Sequence, residues 1–246
     1  MSNRTCPICG GAYALQNGVY RCICCGDVQE ASPTQYAAVF DGTDVVARAE
    51  CGALELTCRF ADGVSAGSGY LIDRGGLAIT NAHVVAQAQT YRICDRIDAK
   101  VNGRTVSAQV IAVGDGQAGH GDGIDLALLC LDAVPDGARA LEIGDFDRVF
   151  NGAPVYVIGN SLGRGLCVTK GIVSDRLRTV HGNRLLMTDC AVNGGNSGGP
   201  LLDASGKVIG TVVSGIAQAE GMNFAIPIDD TMRFVRSVAY SLSRAR

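Results

Sequence analysis

The segment Asn193-Gly194-Gly195-Asn196-Ser197-Gly198-Gly199-Pro200-Leu201 constrains this chain more than any other. It sets one serine in a glycine-dense turn. Glycine reaches backbone dihedrals that side chains resist and lets a second group approach the main chain closely. Amide N–H groups in such a turn can converge on one point, as an oxyanion requires. A serine hydroxyl alone is a weak nucleophile, so the turn raises the question of a base.

The chain has three histidines, His83, His120 and His181, and all precede Ser197. Gly195-Asn196-Ser197-Gly198-Gly199 also satisfies the G-x-S-x-G elbow of α/β-hydrolases, but that class runs serine, acid, histidine. The remaining order, His, Asp, Ser, is that of the chymotrypsin-type double barrel. His83 ends the apolar run Leu77-Ala78-Ile79-Thr80-Asn81-Ala82, which reads as a buried strand. His120 lies among Gly116, Gly119, Gly121 and Gly123, a loop unsuited to fixing a tautomer, and His181 precedes the turn signal Gly182-Asn183. The candidate base is therefore His83. The candidate acid is Asp125, which opens the apolar run Leu126–Leu131. Asp122, between Gly121 and Gly123, is the weaker choice, because a positioned group belongs on a rigid element.

Many short strands with turn punctuation argue for a barrel or sandwich. Asn102-Gly103 between two alternating runs is a hairpin signal. Candidate strands in the second half are Pro154–Ile158, Cys167–Val173, Arg184–Thr188, Pro200–Leu202, Lys207–Val213 and Met222–Ile226. Ile228, Met232, Val235, Ala239 and Leu242 recur at helical spacing, with Asp229 and Asp230 at the start and Arg244 at the end, so residues 228–244 read as a terminal helix packed on that half.

Three blocks carry a resemblance. Thr80-Asn81-Ala82-His83-Val84-Val85, Asp125-Leu126-Ala127-Leu128-Leu129 and Gly195–Leu201 resemble the catalytic blocks of trypsin-like serine proteases, nearest to the HtrA/Deg branch. Gly67–Ile72, Val157–Asn160, Thr169–Ser174 and Asn223–Pro227 agree with that branch. The resemblance implies a mainly β fold of two six-stranded antiparallel barrels, about 51–135 and 150–227, within a protease domain spanning 51–246. It implies acyl transfer on protein or peptide substrates: Ser197 attacks, His83 takes and returns the proton, and Asp125 fixes the imidazole tautomer. The N–H groups of Gly195 and Ser197 would hold the oxyanion. Ala191, Ser214 and Gly215 fall at substrate-pocket positions. Alanine offers no counter-charge there, so small or medium apolar side chains are expected before the cut. Asp189, two positions away, is read as structural. Asn196 is uncharged where digestive relatives carry aspartate, so activation by a newly cut N-terminus is not expected. Gly194 stands where the branch often has proline, which predicts a less rigid loop. The branch usually continues into PDZ domains, and with the sequence closing at Arg246 none is expected here; a homo-oligomer is compatible with the resemblance although no residue demands one. A second reading keeps the fold without turnover, as a scaffold holding protein partners.

The first 28 residues form a separate constellation. Cys6-Pro7-Ile8-Cys9-Gly10 and Cys22-Ile23-Cys24-Cys25-Gly26 are each a C-x-x-C followed by glycine. Four thiolates give a closed tetrahedral Zn²⁺ site, which is structural. Cys6, Cys9, Cys22 and Cys25 are the expected ligands of this zinc ribbon, Cys24 a spare thiol, and residues 29–50 a linker. No metal is expected in the catalysis itself. Only Arg4 and Arg21 are basic in this module, too little for a strong phosphate-binding surface, and the net charge of −3 gives no electrostatic case for nucleic acid.

Eleven cysteines raise the question of a secreted disulfide protein. The N-terminal residues have no apolar leader core, four cysteines have metal spacing, and seven, an odd number, remain. These points lead to an expectation of a cytoplasmic protein. No apolar stretch reaches the ~20 residues a membrane span needs.

Overall fold

A computed structural model describes residues 9, 13–16, 19–22, 24–25, 28–30, 42–87, 90–115, 123–180, 182–213 and 221–244. Cys6, His120, Asp122, His181, Ser214 and Gly215 lie outside the described residues.

The chain divides into two units, Met1–Phe40 and Asp41–Arg246. The first holds a three-stranded antiparallel sheet: β1 (Tyr13–Gln16), β2 (Val19–Cys22) and β3 (Val28–Glu30), in that order.

The second unit is built from twelve strands in two closed barrels. The first barrel holds β4 (Ala53–Phe60), β5 (Gly63–Leu71), β6 (Leu77–Thr80), β7 (Arg96–Val101), β8 (Arg104–Val113) and β9 (Ala127–Leu131), in the order β4-β5-β6-β9-β8-β7. The second holds β10 (Pro154–Asn160), β11 (Leu166–Val180), β12 (Asn183–Thr188), β13 (Pro200–Asp203), β14 (Val208–Val213) and β15 (Asn223–Pro227), in the order β10-β11-β12-β15-β14-β13. Both barrels thus repeat one path: three strands by hairpins, then the last three in reverse. All pairs are antiparallel. This is the mainly β double barrel that the sequence led us to expect.

Alternation explains the interior. On β7, Ile97, Ala99 and Val101 are buried while Arg96 and Lys100 are exposed, the period-two pattern of a half-buried strand. They join Leu54, Leu56, Leu71, Leu129 and others in the first core. The Asn102–Gly103 turn has φ of 47° and 74°, so both central residues are left-handed, as a tight hairpin requires.

Three α-helices accompany the barrels among the described residues. α1 (Gly42–Glu50) occupies part of the stretch read as linker; it buries Val45 and Ala49, one turn apart, and Val45 lies against the Gly206 turn. α2 (Ala82–Val85) is a single turn after β6. α3 (Ile228–Arg244) has the bounds read from its periodicity, but only its first turn is deeply buried, at Ile228, Asp230 and Thr231. A buried chain of hydroxyls ties both barrels to this helix: Tyr70 OH to Thr211 Oγ1 at 2.8 Å, and Thr211 to Thr231 Oγ1 at 3.1 Å.

Candidate active site

His83 sits on α2, which is separated from the end of β6 by one residue, and Asp125 lies two residues before β9, the neighbour of β6 in the barrel. Strand pairing therefore brings them together across 42 residues. His83 Nδ1 is 2.7 Å from Asp125 Oδ2, and the His83 backbone N–H donates to Oδ1 at 3.0 Å. Asn81 Nδ2 donates to the Asp125 carbonyl at 2.8 Å. The carboxylate is buried and the imidazole half-buried, so their pairing is sheltered from water. With Nδ1–H donating to Asp125, the Nε2 lone pair is left to act as a base.

The Ser197 turn comes from the second barrel. Gly198 has φ +84°, and a Cβ there would lie 2.3 Å from both Ser68 O and Thr80 Oγ1. Only glycine lets this turn press against the end of β6, which leads to His83. Gly195 has φ +95°, and a Cβ there would lie 2.2 Å from Asn160 O. The Ser197 hydroxyl makes no hydrogen bond to His83 among the described residues; such bonds often tighten only when substrate binds.

The backbone of the turn is used selectively. Asn196 N–H donates to Asn193 O, Gly198 N–H to Val212 O and Gly199 N–H to Asn196 O. Among the described residues, the N–H groups of Gly195 and Ser197 have no acceptor, so both remain available to an anion. The Gly194 carbonyl accepts from Leu162 N–H at 2.7 Å. Because C=O and N–H point opposite ways across a trans peptide, this bond also fixes the direction of Gly195 N–H.

Ser68, on β5, is a residue whose role sequence reasoning missed. Its N–H donates to Ser197 O at 2.8 Å, and its Oγ donates to Gly195 O at 2.7 Å. The same Oγ accepts from Asn160 N–H at 2.8 Å, and its carbonyl accepts from Thr80 Oγ1 at 2.7 Å. One fully buried serine thus braces the nucleophile turn, β10 and the strand leading to His83. The Gly67-Ser68-Gly69 triplet was the available signal, since flanking glycines mark close backbone approach.

Of the pocket residues, Ala191 is described. Its carbonyl accepts from Thr169 Oγ1 at 2.9 Å. Asp189 accepts from Ile172 N–H at 2.6 Å, the bracing role read from its position.

In the first unit, the Sγ atoms of Cys9, Cys22 and Cys24 lie within 4.8 Å of one another, with Cys9 and Cys22 3.4 Å apart. Cys24 is therefore part of the cluster rather than apart from it. The Cys25 and Cys24 backbone groups and the neighbouring thiols outweigh burial and pull the Cys22 thiol down to about 6.

Residues 67–210 match the family model described as "Trypsin-like peptidase domain", and the chain belongs to that family. Its relatives fall in the HtrA type. It is 35% identical over 169 residues to the putative serine protease HhoB of Synechocystis, covering 66% of this chain and 37% of HhoB. It is 37% identical over 175 residues to a probable periplasmic serine endoprotease, DegP-like, of Halomonas elongata, covering 68% of this chain and 34% of that protein. The HtrA-type protease AlgW, solved with a tripeptide, superposes with a TM-score of 0.71 at 29% identity, covering 80% of this chain and 63% of AlgW. The chain thus spans little more than a third of HhoB's length.

These relatives correct one expectation. The cytoplasmic assignment does not stand, because DegP-like relatives are named as periplasmic. The cysteines do not decide the compartment, because a thiol such as Cys190, fully buried in a core, is shielded from the redox state outside. Among the described residues, no helix is long and apolar enough to cross a membrane.

Proposed function

We propose that this chain is a serine endopeptidase. Ser197 Oγ attacks a peptide carbonyl while His83 Nε2 takes its proton and passes it to the leaving amine. Water then cleaves the acyl-enzyme by the same route in reverse. Asp125 holds the imidazole tautomer and stabilises its cation. Gly195 and Ser197 N–H hold the oxyanion; losing one such donor typically costs about 2.7–4 kcal/mol of transition-state stabilisation. The observation that carries this reading is the pairing of an oriented His83–Asp125 couple with two N–H groups of the Ser197 turn that have no acceptor among the described residues. A fluorophosphonate probe tests it. Labelling of the native chain but not of Ser197→Ala supports turnover, and no labelling of either supports the scaffold reading.

The substrates are proteins or peptides, in keeping with the tripeptide on AlgW. Ala191, with Ser214 and Gly215, favours small or medium apolar residues before the cut. Efficient cleavage only after Arg or Lys in a peptide library would refute this. The DegP-like relatives point to a site of action outside the cytoplasm, testable by fractionation.

The first unit is proposed to hold a structural Zn²⁺ through Cys6, Cys9, Cys22 and either Cys25 or Cys24. Zn–S bonds of ~2.3 Å in a tetrahedron set sulfurs about 3.8 Å apart, and the spacing of Cys9, Cys22 and Cys24 fits that cage. Metal analysis of the purified chain should give one zinc, lost in Cys22→Ser.

A further inference from the structure

A second pair of thiols lies in the first barrel, unused by the proposed reaction. The β4–β7 ladder pairs Cys58 with Ile97 and Arg59 with Arg96. Asp95 N–H donates to Arg59 O at 2.7 Å, so Asp95 and Arg96 both stand opposite Arg59. Two residues facing one make a β-bulge, which leaves the strand's facing shifted by one position beyond it. Arg59, Asp95 and Arg96 are all exposed and share the outer face. By alternation, Cys58 and Cys94 share the inner face. Cys58 is fully buried in the first core, and the half-buried Cys94 packs on the same cluster. Each thiol thus faces the other across the same core, and each shifts the other's ionisation. By contrast, Cys51, Cys130 and Cys190 each donate to a backbone carbonyl.

We propose that Cys58 and Cys94 are a disulfide-forming pair that pins the segment following the His83 turn onto β4. Cys94 N–H donates to the carbonyl of Val85, the last residue of α2, at 2.8 Å, and Ala86 bridges Ile93. A bond at Cys94 therefore anchors the exit of the turn that carries the base.

The chemistry is exchange with a disulfide oxidant, such as oxidised glutathione. Cys94 is the entry thiol, being the more accessible; the neighbouring Cys58 thiol lowers its pKa, while the Cys94 thiol and burial raise that of Cys58. The Cys94 thiolate attacks the oxidant and expels one thiolate, leaving a mixed disulfide. Cys58 loses its proton and attacks Cys94 Sγ, expelling the second thiolate. Two protein thiols become one disulfide, and the oxidant leaves as two thiols carrying the two electrons and two protons.

The test uses the full chain, incubated with oxidised or reduced glutathione, quenched by alkylation and digested without reductant. Oxidation should give a peptide linking Cys58 to Cys94, lighter by two hydrogens than its reduced halves. It should also raise the Tm of the barrel transition by about 5 °C or more, since the bond closes a long loop. Cys94→Ser, at a half-buried position, should fold, lose the cross-link and lose the redox-dependent shift. The proposal is overturned if both thiols remain alkylable after oxidation in wild type, if Cys58 is found joined to another cysteine, or if Cys94→Ser keeps the shift.

Discussion

The two barrels repeat one strand path but hold their reactive groups differently. The first presents side chains: the Asp125 carboxylate, just ahead of β9, pairs with the His83 imidazole and accepts from the His83 backbone N–H, both just beyond the neighbouring β6. The second presents backbone, a turn whose shape depends on Gly195 and Gly198 at positive φ. The first arrangement is local and largely self-sufficient. The second depends on its neighbour, because Ser68 of β5 supplies two of the hydrogen bonds that hold the turn.

Substitutions can break this contrast in decreasing order of effect. Ser197→Ala should lower kcat by about 10⁶-fold in a peptide assay, with the fold intact by circular dichroism. Asp125→Asn should lower it by about 10⁴-fold, because the amide favours the wrong tautomer. Gly198→Ala should act through structure instead. Its Cβ would meet backbone and hydroxyl at 2.3 Å, so a loss of about 3 kcal/mol or more is expected in chemical denaturation. Gly194→Ala, with nothing within 4 Å of its Cβ, is the control and should cost less than about 1 kcal/mol.

Ser68→Ala sharpens the comparison. It strips a partner from Gly195 O and Asn160 N–H, costing about 1–3 kcal/mol. The fall should appear in kcat more than KM, while the His83 NMR signal bonded to Asp125 stays in place. Tyr70→Phe is milder than Ser68→Ala, about 1 kcal/mol from one lost hydrogen bond between the barrels. Burial raises the Tyr70 phenol, so its contribution is full below about pH 10, where the unfolded phenol starts to ionise. It is lost as pH rises above that value, and Tyr70→Phe should flatten the alkaline limb of a stability–pH curve.

Much of this was legible in local sequence. The α3 bounds follow from its apolar spacing and terminal charges, and the Asn102–Gly103 hairpin from its turn chemistry. The long β11 was read only as Cys167–Val173, because the pairing shifts beyond Val173 break its alternation. The helix α1 was read as linker, since its buried face is only two small residues, Val45 and Ala49. The Ser68 brace spans 127 residues in sequence and leaves no periodic trace. His83 and Asp125 could be named from their blocks, but that their strands are neighbours is a property of the barrel path.

The central claim is that the base of the first barrel activates the serine of the second. Mass spectrometry of a fluorophosphonate adduct in wild type and His83→Ala measures this most directly. The account predicts one adduct, on Ser197, formed in wild type and lost in a folded His83→Ala variant. An adduct forming equally fast without His83, or one carried by a different residue, would contradict it.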